Sequence, residues 1–257
     1  MGIDWRSVLR GEVKPFKEPK TFRHGLKAVP VSKIASQSYC ELKIDHEYTR
    51  GEVPSEEKDL GSEIHEAIFA MKKIETEDFI KHISAKKPSI ATLTLLGEGG
   101  RLNIAGQPDA IVFRAGQPLW VIELKTTGGD PGRLWDSQRN QPFLYGLLLE
   151  RMGFDCSGLK LAIVRARREP LEENEKEELL GIIANSLLSG TNPAVESSYR
   201  GNLKFHLMPS EIGKAEEIVA QAEGYWLEER GPLSAVYPGQ CRVCPYGTEC
   251  SQSLWRD

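Results

Sequence analysis

Leu119-Trp-Val-Ile-Glu-Leu-Lys125 reads as an apolar strand that ends in a carboxylate and an ammonium group, with Asp109 on the preceding strand after Gly106-Gln-Pro108. A strand buried on both faces runs apolar throughout, and Glu or Lys is almost never fully buried without a partner. Taking both out of water is expensive, so a metal ion, a phosphate or a tight ion pair is expected beside them. The tripeptide alone is unspecific, because Glu-x-Lys recurs at Glu12, Glu18, Glu41 and Glu56. From the triplet by itself, a structural ion pair at a strand end is the better reading. The surrounding strand and Asp109 shift it.

Working outward, Ile90–Leu96, Leu102–Phe113 and Leu119–Leu124 read as successive strands, punctuated by Gly97-Glu-Gly-Gly100 and Ala115-Gly-Gln-Pro118. The short connections predict an antiparallel meander. Pairing the last two strands as a hairpin would bring Asp109, near the middle of one, to Glu123, near the end of the other. Oxygen ligands of this kind suit Mg or Mn, which keep several waters and also bind phosphate oxygens. Such an ion can polarise a phosphodiester and activate a water, while Lys125 orients that water or neutralises developing charge. A Gly/Pro loop over 128–132 follows, then a helix over Gln141–Arg151 and an apolar strand over Leu159–Val164. Pro142 suits a first helical turn, which sets the expected helix start near Gln141. Gln141 and Tyr145 share one helix face and can reach toward the strand ends, either to grip a phosphate or base, or as a polar residue beside a core tyrosine.

Residues 1 to 30 mix Lys, Arg, Pro and Gly without periodicity and read as an extended arm or a loosely docked segment. A short helix is expected after Pro30, capped by Ser32, with Ile34, Ala35, Tyr39 and Cys40 at helical spacing. An amphipathic helix is expected over 56–73, with His65 on or beside its apolar stripe. Imidazole is a common ligand for Mn and other transition metals, so His65 is a candidate third ligand. His24, His46, His82 and His206 are read as structural or surface residues. A Glu-rich helix over Pro170–Leu188, a strand over Leu203–Met208 and a helix over Ser210–Glu229 capped by Ser210 complete the chain. The core is a mixed α/β one: helix, three strands, helix, strand.

A chain of 257 residues with 40% hydrophobic and 27% charged residues can bury a sizeable core, which argues against disorder. The net charge of -4 gives no global attraction to nucleic acid, so DNA would need a local basic groove, for which Arg165, Arg167 and Arg168 are candidates. No stretch approaches the roughly 20 apolar residues that span a bilayer, and the N-terminus lacks an apolar signal region. A cytoplasmic location is the expectation, with no membrane partner.

Cys241, Cys244 and Cys250 form Cys-x2-Cys-x5-Cys, and Cys40 stands alone near the other end. Three clustered thiolates and one distant one can make a four-ligand site. Zinc remains open, but its ribbons usually present two Cys-x2-Cys knuckles, whereas three-plus-one with Pro245 after Cys244 favours an iron–sulfur cluster. Joining Cys40 to the cluster would close a loop of about 200 residues and act as a clasp. Cys156 fits neither group and is read as a free thiol.

Gly61-x3-His65, Gln107-Pro108-Asp109, Glu123-Leu124-Lys125, Gln141-x3-Tyr145 and the split cysteine set together resemble the RecB-type iron–sulfur nucleases of the PD-(D/E)XK superfamily. Within it, the exonuclease V family and the CRISPR adaptation nucleases look closest, and Ser36-Gln-Ser-Tyr-Cys-Glu-Leu-Lys43 is similar to their isolated-cysteine segment. The resemblance covers roughly 31–164 and 241–250. It implies a restriction-endonuclease-like core with a central mixed sheet flanked by helices, in a single nuclease domain over 31–257. That domain would comprise a core over 56–164, a helical extension over 165–236 and an iron–sulfur lobe made by Cys40 and 241–250. It implies that His65, Asp109, Glu123 and the Leu124 carbonyl bind Mg or Mn, that Lys125 assists the attacking water, and that Gln141 and Tyr145 contact DNA or support the site. It implies a 4Fe-4S cluster on Cys40, Cys241, Cys244 and Cys250. The expected activity is a metal-dependent deoxyribonuclease, an exonuclease on single-stranded DNA or DNA ends. The rivals are an end-trimming nuclease acting with a CRISPR integrase and a silent DNA-binding or scaffolding module. Protein partners in DNA repair or CRISPR adaptation are expected on the same basis.

Overall fold

The computed structural model describes residues 3–53, 74–167 and 203–255, with positions 181 and 185. The helix expected over 56–73, with Gly61 and His65, lies outside the described residues, as do Arg168 and nearly all of the segment over 170–188. Two sheets carry the chain. The larger is mixed, ordered β2 (Ser89–Ala91), β5 (Ala110–Arg114), β6 (Gln117–Thr127), β7 (Lys160–Arg167), β8 (Leu203–Pro209). The smaller is ordered β1 (Val29–Pro30), β4 (Leu102–Gly106), β3 (Leu95–Gly99).

β6 lies at the centre of the larger sheet, antiparallel to β5 and parallel to β7. Its middle, Trp120 to Leu124, is buried, as the apolar run requires of a strand covered on both faces. α4 (Thr76–Ile83) packs against β2, and a parallel neighbour of β6 demands a long crossover, which α5 (Asp136–Arg151) provides between β6 and β7. This helix buries Leu144, Leu147 and Leu148 completely. It packs against β6 and β7, and also against β3, α2 (Val31–Gln37) and α6 (Ile212–Trp226). The site therefore rests on a buried part of the core.

Several sequence expectations are corrected. The run Ile90–Leu96 is two strands, β2 and β3, and Leu102–Phe113 is two strands, β4 and β5, each pair divided between the sheets. The continuous meander becomes two separate hairpins, β3–β4 and β5–β6. The cause lies at Gln107-Pro108-Asp109: proline has no N–H for a ladder, and the chain leaves one sheet there to enter the other. Asp109 consequently stands just before β5 rather than in mid-strand.

α5 begins at Asp136 after Trp135, not near Gln141, so Pro142 lies inside the helix. Gln138 closes the first turn by accepting the Trp135 N–H at 3.3 Å. Ser32 is not a cap, since α2 starts at Val31 after Pro30. Ser210 is not one either, because α6 starts at Ile212 after Glu211. α2 stops at Gln37, and Cys40 is the extended residue that precedes α3 (Glu41–Arg50). The N-terminal segment is not loosely docked. Trp5, at the head of α1 (Trp5–Leu9), is buried and stacks on Phe154 at 4.9 Å, and Phe22 and Val29 also join the core. No helix among the described residues is long and apolar enough to cross a membrane.

Candidate active site and cysteine cavity

The β5–β6 register sets Ala110 against Ile122, so the residue before Ala110 faces Glu123. Asp109 uses this position to accept the Leu124 N–H on Oδ2 at 2.7 Å. Its carboxylate thereby replaces a ladder bond and is held beside β6. Just behind it, the Thr92 hydroxyl donates to the Pro108 carbonyl at 2.6 Å, tying the chain at the point where it changes sheets.

Glu123 is 3% exposed and its Oε1 lies 2.7 Å from Lys125 Nζ. Lys125 also donates to Gln141 Oε1 at 2.9 Å. Gln141 Nε2 donates to the Tyr145 hydroxyl at 3.0 Å, which donates to the Gln107 carbonyl at 3.0 Å. The chain of bonds returns to the segment that carries Asp109. Burial, and next to it the Glu123 charge, push the Tyr145 phenol well above its ordinary range, so it stays protonated. A missing side chain makes room for the ring: a Cβ at Gly106 would lie 2.7 Å from Val31 Cγ2 and 2.9 Å from Tyr145 Cε1.

Asp109, Glu123, Leu124, Lys125, Gln141 and Tyr145 are thus brought together, while His65 lies outside the described residues. Gln141 and Tyr145 are buried, and their polar atoms face Lys125 and Gln107, so neither offers an open edge to a base. Among the described residues no three His, Cys, Asp or Glu side chains are grouped so as to hold a metal ion. Partly exposed Asp109 and buried Glu123, which lies against partly exposed Lys125, remain carboxylate donors of the kind hard divalent cations take, with water and substrate oxygens completing the shell.

Arg165, a sequence candidate for lining a basic groove, is instead buried, because its guanidinium is turned inward onto the Arg133 carbonyl and Gln138. In the parallel ladder it pairs with Lys125, and across the next ladder it pairs with Lys204. Three cations therefore stand in one row over β6, β7 and β8, a register that only the strand pairing reveals.

The four cysteines expected to act together line one open cavity, although no three of them are grouped so as to hold a metal ion. A reciprocal pair makes the junction: the Tyr39 hydroxyl donates to the Gln240 carbonyl at 2.7 Å, and Gln240 Nε2 donates to the Tyr39 carbonyl at 3.0 Å. Cys40 and Cys241 follow these two residues directly. α7 (Pro238–Arg242) carries Cys241, and a turn closed by the Cys244 N–H to the Cys241 carbonyl, 3.1 Å, carries Cys244. Burial raises the Cys40 thiol, opposed by backbone N–H groups of Lys43 and Leu42. Burial also raises Cys244, opposed by the Tyr246 N–H and Lys43. The Leu254 N–H points at Cys241 Sγ, 3.4 Å away. Amides aimed at sulfur suit thiolates that ligate a metal or cluster. Cys156 lies apart, its thiol pushed up to about 12 by burial and by Glu150 and Asp155, which favours the protonated form.

A protein-family model described as the PD-(D/E)XK nuclease superfamily matches residues 29–251. No curated protein gives a significant match. Among the solved structures that match is one described as "Crystal structure of SSO0001". It is 16% identical, with a TM-score of 0.48, over 98% of this chain and 96% of that one.

Proposed function

Because the chain belongs to the PD-(D/E)XK nuclease superfamily, whose members are usually metal-dependent nucleases using Mg or Mn, we propose that it is a deoxyribonuclease. The reading extends to an exonuclease on single-stranded DNA or DNA ends. The observation that carries the nuclease reading is the convergence of Asp109 on the Glu123-Leu124-Lys125 segment through the 2.7 Å bond to the Leu124 N–H. Asp109, Glu123 and the Leu124 carbonyl, with His65, are the proposed holders of the ion. When bound, the ion supplies polarisation of the phosphodiester and a water of lowered pKa.

The chain's own residues do the rest. Asp109 and Glu123 fix where the scissile phosphate oxygens approach. Lys125, a cation between Glu123 and Gln141, orients the attacking water and offsets the negative charge that grows on phosphate. Gln141 and Tyr145 keep its ammonium group in place. A 4Fe-4S cluster on Cys40, Cys241, Cys244 and Cys250 is proposed as a structural clasp between the two ends of the chain, supported by the shared cavity and the amide donors around the sulfurs.

The test is digestion of end-labelled single strands in Mg or Mn by the wild type, Asp109→Ala and Lys125→Ala. Each variant is expected to lose activity by at least about a hundredfold, the scale at which loss of one preorganised electrostatic group is felt. Undiminished cleavage by either removes the mechanism.

A further inference from the structure

Between β6 and α5 the chain presents an aromatic side chain where the core has no use for one. Trp135 is 49% exposed, whereas Trp5, Trp120 and Trp226 are buried. The guanidinium carbon of Arg133, itself exposed, lies 3.9 Å from the centroid of the Trp135 ring. An exposed indole with a cation stacked on its face exchanges water-facing apolar surface for a platform that flat, electron-rich rings can share.

The platform is tied to the neighbouring strands. His206 Nε2 lies 3.1 Å from the Pro131 carbonyl. Arg165 Nη1 donates to the Arg133 carbonyl and, at 3.2 Å, to Gln138 Oε1, the atom that also accepts the Trp135 N–H. Within the loop, Asp130 accepts the Gly132 N–H at 2.7 Å. Arg165 is 3% exposed and its Nε finds no hydrogen-bond partner among the described residues, so these two bonds through Nη1 hold the guanidinium inside the fold.

Both tethers belong to the site's own rows. Arg165 pairs with Lys125, and His206 pairs with Ile163, which pairs with Glu123. With strands about 4.8 Å apart, the tethers start roughly one and two strand spacings from the active-site strand. The loop is therefore positioned against the site by residues of neighbouring strands, not merely connected to it in sequence.

We propose that Trp135, with Arg133, is a nucleobase-stacking subsite for single-stranded DNA, which holds an unpaired base while the adjoining phosphodiester lies at Asp109 and Glu123. The proposal rests on the nuclease reading for its second clause only. A base inside a duplex has both faces covered by its neighbours, whereas a base in a single strand has a face to offer, and stacking on an aromatic ring accepts any of the four. Exposed Arg133 and partly exposed Lys125 and Lys204 give the sugar–phosphate chain a matching charge beside the platform, while buried Arg165 serves only to hold the loop.

The experiment measures binding apart from cleavage. Fluorescence anisotropy of a labelled oligothymidylate and of a blunt duplex, both in EDTA, is recorded for the wild type, Trp135→Ala and Trp135→Phe, with thermal melts to confirm folding. The alanine variant is expected to bind the single strand at least about fivefold more weakly, as loss of one stacking ring does elsewhere, with duplex affinity unchanged and the phenylalanine variant restoring most of the loss. Equal binding by wild type and Trp135→Ala, or equal losses on single strand and duplex, overturns the subsite. Parallel digestion with Mg or Mn separates the two claims: a wild type that binds through Trp135 but never cleaves overturns only the nuclease reading.

Discussion

Gln141 has the side chain whose orientation decides most about the site. Lys125 can only donate and the Gln107 carbonyl can only accept. The amide must therefore turn its oxygen to Lys125 and its nitrogen to Tyr145, and the phenol proton must point at Gln107. Replacing Gln141 by Leu removes one bond to the ammonium group and one to the phenol. Hydrogen bonds to charged groups contribute about 1.5–3 kcal/mol, so kcat is expected to fall about 10- to 100-fold while KM stays within about twofold. Steady-state kinetics read that split, and a rise in KM with unchanged kcat would assign Gln141 to substrate binding instead. At this scale the sequence was legible where a charge interrupts an apolar run, as at Glu123 and Lys125, or where helical spacing pairs two polar groups, as at Gln141 and Tyr145. It marked Arg165 as a cation but not as a buried one beside Lys125, because that place depends on how β7 registers against β6.

Among the elements, α3 is joined to the chain after α6 by one buried carboxylate. Glu41, the first residue of α3, accepts from both Arg230 Nη atoms, from the Leu233 N–H at 2.8 Å and from Gln37 Nε2 at 2.8 Å. Burial works against its charge, yet these donors hold its pKa below the ordinary 4.5. The unfolded chain then binds the proton more readily, so this stabilisation is complete above about pH 4.5 and is lost as pH falls through the lower folded value. Glu41→Gln should lower stability near neutral pH by about 1–3 kcal/mol and flatten the fall between about pH 5 and 3. Thermal melts across that range check it, and parallel curves for variant and wild type would refute it. Strand placement shows the limit of sequence reading here. Alternating or continuous apolar residues mark Leu102–Phe113 as extended, but the same pattern serves two sheets as well as one, and only Gln107-Pro108 hints at the break. The helix start was missed for a related reason: Pro142 satisfies a first-turn rule locally, while the first turn is set by Trp135 and Gln138.

For the whole molecule, the N- and C-terminal regions meet at the cysteine cavity, and the split spacing of Cys40 from Cys241, Cys244 and Cys250 made that meeting legible without showing what supports it. Gly247 belongs to that support, since a Cβ there would come within 2.4 Å of the Cys241 carbonyl oxygen. Protein purified without oxygen should be brown and carry about four irons per chain, the content of one 4Fe-4S cluster. Cys40→Ala should lose iron and melt at lower temperature, because a ligand set that closes a long loop stabilises the folded state. A colourless protein with one zinc would overturn the cluster. Tyr39 and Gln240, which join the two halves, stand 201 residues apart. At a synthesis rate of about 5–20 residues per second, the ribosome makes Cys40 some 10–40 s before its three companions. For that interval a nascent chain carries only one of the four cysteines that line the cavity, so the cavity cannot close until the residues after 241 have been made.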